Sequence, residues 1–133
     1  MMRFLEPYTE CIHDTLRIVA GYCFMLHGLQ KLFGVLGGPE DLELVSLLGL
    51  AALIEAVGGA LIALGLFTRP AAFIASGEMA AAYFIAHAPR EDGMFLFPVT
   101  NQGEPAVLFC FVFLYLAAAG PGAWSLDALL RKD

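Results

Sequence analysis

The chain has 133 residues, room for one domain. Its composition, 59% apolar and 15% charged with a mean hydropathy of +0.75, lies far from the soluble average of about 45–50% apolar and 25% charged, so the chain reads as integral to a membrane. The formal charge of −6 leaves no basic patch to neutralise phosphates, which argues against nucleic acid as a partner and equally against a polybasic lipid anchor.

Residues 1–14 carry Glu6, Glu10 and Asp14 against Arg3, the wrong charge for a secretory signal. They read as a short amphipathic or irregular lead-in interrupted by Pro7, with Asp14 as N-cap of the first span. That span covers about residues 15–36. Its second half concentrates His27, Gln30 and Lys31, and His27 and Lys31, four apart, share a helical face. A Gly34-to-Pro39 stretch ends it, and an acidic connector with Glu40, Asp41 and Glu43 comes next.

The second span, about 45–67, is the run VSLLGLAALIEAVGGALIALGLF, around which the rest is organised. A hydrocarbon core about 30 Å thick needs about 20 apolar residues, so this stretch can cross with some tilt. Glu55, its one ionisable residue, falls near the middle, where a carboxylate costs at least roughly 2.5 kcal/mol and normally faces protein. The V-G-G-A around Gly58 and Gly59 invites a second helix backbone onto the same face. Thr68-Arg69-Pro70 is expected to form a tight turn into the third span, about 70–88, which is rich in small residues and carries Glu78 mid-span and His87 near its end.

The longest loop, Pro89 to Gly103, contains an apolar MFLF segment that suits a re-entrant or interfacial flap or an ordinary buried loop equally. Asn101 and Glu104 stand in the N-x-x-E spacing of a capping box at the start of the fourth span, about 104–120. Gly120-Pro121-Gly122 stops that span. The tail 123–133 reads as a short amphipathic helix with Ser125 as N-cap and Trp124 at the membrane interface. The expected fold is all-α, a four-transmembrane-helix bundle. With both termini on the side carrying Arg3, Arg17, Arg69, Arg131 and Lys132, and only Lys31 and Arg90 opposite, N- and C-termini are expected to be cytoplasmic.

Traced along alternating helix directions, Lys31, His87, Asn101 and Glu104 share the outer third of the bundle, His27 and Glu55 lie near the midplane, and Glu78 lies deeper. Acids and bases at matching depth are expected to pair, Lys31 with Glu55 or Glu104, and His27 or His87 with Glu55 or Glu78. Each has a plainer reading: Lys31 snorkelling, Asn101 and Glu104 capping a helix, His87 resting at the interface, His27 as an interhelical hydrogen bonder, and the carboxylates in structural clasps. Together these seven residues are the candidate ligand-binding pocket. Two histidines on different helices raise bis-His haem, but nothing in the spacing demands it and the small-residue third helix would need to leave a large cavity. Cys11, Cys23 and Cys110 form no C-x-x-C pair, so no metal or dithiol site is expected, and Cys23 and Cys110 read as small buried hydrophobes.

Several stretches carry a resemblance: R-I-V-A-G and H-G-L-Q-K-L-F-G between Arg17 and Gly34, I-E-A-V-G-G-A-L-I-A-L-G-L-F-T-R from Ile54 to Arg69, E-M-A-A-A from Glu78, N-Q-G-E from Asn101, and G-P-G-A-W-S-L-D from Gly120. In these the chain resembles the DoxX-like four-helix membrane proteins over nearly its whole length. The resemblance implies four transmembrane helices in a bacterial inner membrane and association with membrane redox systems. Some relatives are subunits of a thiosulfate:quinone oxidoreductase, and others assemble with thiol-handling or superoxide-removing proteins. The missing dithiol pair argues against direct thiol oxidation by this chain. The leading expectation is a redox-associated membrane subunit, a candidate oxidoreductase subunit, with a quinone-like ligand in an outer-half pocket and a soluble redox protein or membrane complex as partner. A structural subunit without activity of its own and a small-molecule or proton permeation protein are the alternatives, and the small-residue faces suit self-association as well as internal packing.

Overall fold

A computed structural model describes residues 3–90 and 95–131. Met94 of the apolar loop segment and Lys132 of the cation set expected to be cytoplasmic lie outside the described residues. The described chain is all-helical, with no strand. A 3-10 turn, Arg3–Tyr8, leads directly into α1 (Thr9–Phe33), which ends on Gly34 in the left-handed conformation. After the acidic connector comes α2 (Leu47–Leu64), capped by the Ser46 hydroxyl, which accepts from the Gly49 N–H at 3.0 Å. Helix α3 (Thr68–Ala82) continues into a wide π turn, Tyr83–His87. Helix α4 (Glu104–Ala119) and the short α5 (Leu126–Leu130) complete the chain.

Among the described residues one helix, α2, is long and apolar enough to cross a membrane by length and composition, with a mean hydropathy of 2.2 over 18 residues, and α4 is a shorter apolar helix. Side chains such as Val19, Leu53, Phe84 and Phe111 stand exposed around the outside. That is the inverse of a soluble surface and suits contact with acyl chains.

The helices pack as two pairs, α1 along α2 and α3 along α4. In the first pair, small residues let the backbones meet: a Cβ on Gly28 would lie 2.2 Å from the Ala56 nitrogen, and one on Gly59 2.4 Å from the Met25 nitrogen. Gly58 faces open space, so of the two adjacent glycines only Gly59 forms the seam. Between the pairs lies a core of Phe24, Ile62, Ala72, Ala75, Phe113 and Leu116, with Phe24 and Phe113 edge to face at 4.7 Å.

At the end where α2 turns into α3 and α4 gives way to the tail, side chains close the helix ends. Asp14 does not cap a helix: α1 begins at Thr9, and Asp14 sits fully buried within it, 3.8 Å from the Arg17 guanidinium. Arg17, also fully buried, donates to the carbonyls of Ile62 (2.8 Å) and Ala63 (2.6 Å) at the end of α2 and to that of Trp124 (2.5 Å) in the tail. It is therefore a buried clamp, not a juxtamembrane surface cation. The α2–α3 turn is Gly65 to Phe67, and Thr68-Arg69-Pro70 is already helical. Asp127 accepts from the N–H groups of Phe67 (2.9 Å) and Thr68 (3.0 Å), and Arg69 donates to the carbonyls of Ala117 and Ala118 at the end of α4. His13 reaches the Gly120 carbonyl oxygen at 3.0 Å. Ser125 caps α5 through the Ala128 N–H at 3.1 Å, as its spacing predicts.

Candidate functional site

At the other end the two helix pairs diverge around a cavity of about 780 Å³, within the 300–1,000 Å³ usual for small-molecule sites. Its walls are mostly apolar, and its titratable lining consists of His27, Lys31, Glu55, Glu78 and His87. Phe24, Met79 and Phe109 line it as well and belong to or pack against the buried core.

Lys31 and Glu55 are paired. The ammonium Nζ lies 2.6 Å from Oε1 of a carboxylate that is 2% exposed, so the lysine turns inward to its partner and does not snorkel. Of the two partners anticipated for Lys31, the structure selects Glu55. A close, charge-assisted contact of this kind offsets the desolvation of both groups. The second carboxylate oxygen, Glu55 Oε2, is buried with no hydrogen-bond partner, and so is Glu78 Oε2 on α3. Neither histidine pairs with a glutamate. His27 instead meets the Phe109 ring edge-on at 6.1 Å, and His87 stacks on Tyr83 with its Nδ1 3.2 Å from the Asn101 carbonyl oxygen.

The loop side of the site departs from the sequence expectation. Gly103, not Asn101, occupies the N-cap position of α4, and no side chain caps that helix. Asn101 is buried: its Oδ1 accepts from the Gly103 N–H at 2.9 Å and its Nδ2 donates to the Tyr83 hydroxyl at 3.1 Å. The Tyr83 hydroxyl in turn donates to the Phe95 carbonyl, so Asn101 anchors the loop on α3 from behind the cavity instead of lining it. Glu104 is exposed and is not part of the lining, so it leaves the pocket set. Gln102, which sequence reasoning misses, takes that place. The one signal for it is its neighbourhood, the N-Q-G-E run. Phe95, Leu96 and Phe97 are exposed, which removes the buried-loop reading of the apolar segment. Cys23 is also exposed and Cys110 half-buried, so Cys23 is not an interior residue.

Two π turns border the cavity, Ile54–Gly58 holding Glu55 and Tyr83–His87 holding His87. Such turns, each widening the helix locally, occur often at functional sites.

A profile of the family described as DoxX matches residues 13–88, more than half of the chain. The chain belongs to the DoxX family. The matched segment runs from α1 through the end of the π turn of α3 and so contains every titratable group lining the cavity, whereas Gln102 lies beyond it. A Haemophilus influenzae protein described only as uncharacterized is 43% identical, covering 95% of this chain and 96% of its own length. The Escherichia coli K12 inner membrane protein YqjF is 32% identical, covering 87% of this chain and 89% of its own. No solved structure matches. As a DoxX-family member with an inner-membrane relative, the chain is an integral protein of the bacterial inner membrane and contacts the lipid bilayer.

Proposed function

We propose that this chain is the membrane subunit of a redox system and binds a quinone-like molecule, a polar head on an apolar body, in the cavity between its helix pairs. The observation that carries the reading is the cavity itself: apolar walls around a Lys31–Glu55 pair and a second buried carboxylate, Glu78. Apolar walls would hold a ring and tail, and Lys31, His27, Glu55 and Glu78 would meet the oxygens of the head. Phe24, Met79 and Phe109, apolar lining residues that belong to or pack on the core, favour binding over permeation. Within this proposal α1 to α4 all cross the bilayer as a four-helix bundle. The termini lie in the cytoplasm with Arg3, Arg69 and Arg131, and the cavity lies in the outer half.

Purification in mild detergent and then organic extraction tests the reading. A redox-active quinone at near-stoichiometric yield is expected from the wild type, with a severalfold lower yield from a His27→Ala, Lys31→Ala double variant that remains folded. Equal trace amounts from both would overturn it and leave a structural subunit. Reporters fused to the C-terminus and inserted at Asp41 should fall on opposite sides of the membrane.

A further inference from the structure

The cavity is open along one flank. On α3 and the π turn that continues it, Ile74, Ala81 and Ile85 line it at helical spacing, so they share one side of the helix. All three are also exposed, Ile74 by 55% and Ile85 by 58%. Those two isoleucines stand about 16 Å apart along the helix axis, and Ile74 lies a turn closer than Glu78 to the start of α3. An opening confined to the rim would leave Ile74 covered. Facing this side are Leu47, Leu50 and Ile54 of α2, which line the same cavity, and the two leucines are exposed as well. The packing explains the gap: α3 meets α2 along Ile54–Leu64, whereas the Leu47–Leu53 stretch packs on α1. Between α1 and α4, by contrast, the Phe109 ring stands 5.6 Å from Phe24 and 6.1 Å from His27.

We infer that this gap is a side entrance: the cavity exchanges its ligand with the hydrocarbon of the bilayer through a slot between α2 and α3, and the ligand is an amphiphile dissolved in the membrane, not a water-borne solute. The lips are Leu47 and Leu50 on one helix and Ala81 and Ile85 on the other, with Ile74 at the inner end. Every one of them is aliphatic. A polar solute passing them would shed its hydration among side chains that return no hydrogen bond. An alkyl or prenyl chain instead covers apolar surface of the lips with its own. None of the titratable lining belongs to the lips, so chain and head have separate places, the chain in the slot and the head beside His27 and Lys31. This inference rests on the four-span placement of the proposed function and deepens it, a quinone-like molecule being one such amphiphile.

The test is photolabelling of the full chain in lipid nanodiscs with two diazirine probes, a long-chain fatty alcohol dissolved in the lipid and a short water-soluble polyol, read by mass spectrometry. The lipid-dissolved probe is expected to mark the inner lining residues Met79 and Phe109 as well as Phe84 and Phe111, which are exposed and outside the cavity. In a Leu50→Trp, Ala81→Trp double variant, whose indoles fill the slot, labelling of Met79 and Phe109 should fall severalfold. Labelling of Phe84 and Phe111 should stay, a folding control within the same molecule. No labelling of Met79 and Phe109 by the lipid probe, or labelling as strong by the water-soluble one, overturns the side entrance, and this comparison needs no variant. Undiminished labelling in a folded double variant overturns it too. Excess decyl-ubiquinone separates the two readings: it should compete with the lipid probe at Met79 and Phe109. Labelling there that it leaves untouched overturns the quinone-like reading, while the side entrance stands on the comparison of the two probes.

Discussion

Lys31 and Glu55 are separated by 24 residues in sequence and by 2.6 Å in space. Their contact ties the end of α1 to the widened turn of α2, and it is an ion pair whose carboxylate has almost no access to solvent. Removing the lysine alone strands that charge, which for buried pairs costs about 3 kcal/mol or more. Lys31→Met is therefore expected to destabilise the protein by about 3 kcal/mol. The double variant Lys31→Met, Glu55→Leu should recover most of that loss. Unfolding in mixed micelles across the four-member cycle measures the coupling, and simple additivity would show that the pair is no unit.

The α1–α2 seam predicts opposite outcomes at neighbouring glycines. A Cβ on Gly59 would sit 2.4 Å from backbone nitrogen, while one on Gly58 meets nothing within 4 Å. Gly59→Ala should force the helices apart at a cost of about 1–3 kcal/mol. Gly58→Ala should stabilise by about 0.5–1 kcal/mol, since alanine loses less conformational freedom than glycine in a helix. Thermal melts of the two purified variants would separate in opposite directions from the wild type; coincident melts would deny the close approach.

Arg17 should not tolerate lysine. Its planar guanidinium reaches the carbonyls of Ile62, Ala63 and Trp124 at once, whereas an ammonium is a single point of donation. Arg17→Lys is expected to cost about 3 kcal/mol, the lower range for disturbing a buried charged network. It should also raise protease cleavage after Trp124 severalfold. Unchanged proteolysis of the tail would show that the clamp does not hold it.

These contacts mark what the sequence can and cannot disclose. Lys31, Glu55 and Glu78 are legible because a charge within an apolar run has few places to go, and counting depth from the helix ends puts Glu55 just below Lys31, within reach of its long side chain. The clamp made by Arg17 is hidden because its partners are mostly main-chain carbonyls of other segments, which no residue identity advertises. Asp14 resembles a cap because a carboxylate near an apolar run suggests a helix start, whereas inside the helix it is held by the buried Arg17 guanidinium three residues on and by the Trp124 N–H of the tail. Asn101 and Glu104 fit the capping-box spacing, yet the loop turns through an Asn101–Gly103 bond that shifts the helix start and sends Glu104 outward. The G-L-F-T-R and G-P-G-A-W-S-L-D motifs have a physical account in the structure. They supply Arg69, which joins α3 to α4, Asp127, which joins the tail to the start of α3, the Trp124 carbonyl, which accepts from Arg17 of α1, and Ser125, which caps α5.

Asp127 brings a pH dependence. Burial pushes its carboxyl up, but the N–H groups of Thr68 and Phe67, together with the Arg131 charge, outweigh it and hold the group below its ordinary value of 3.8. The folded state then binds this proton less readily than the unfolded chain, so unfolding takes up protons and stability rises with pH through that window. The contribution is complete above about pH 4 and is lost as pH falls through the lower folded value. Asp127→Asn should flatten this acid limb and cost about 1 kcal/mol at neutral pH as a weakened helix cap. Unfolding curves from pH 3 to 7 for both proteins check it; parallel curves would sink the assignment.

The side-chain closures also divide the molecule mechanically. Arg17, Arg69, Asp127 and His13 each bind backbone belonging to a distant segment, and all four gather where α2 turns into α3 and α4 gives way to the tail. At the far rim, α1 stops on its own Gly34 and α2 starts on its own Ser46, and the Lys31–Glu55 contact joins these two helices to each other and not to the second pair. Thermal splaying of the two pairs is consequently expressed at that rim, with the gathered end as its pivot. On the proposed function, a molecule arriving sideways from the bilayer would enter at that rim, and amide exchange should be slowest at the pivot and fastest around the rim.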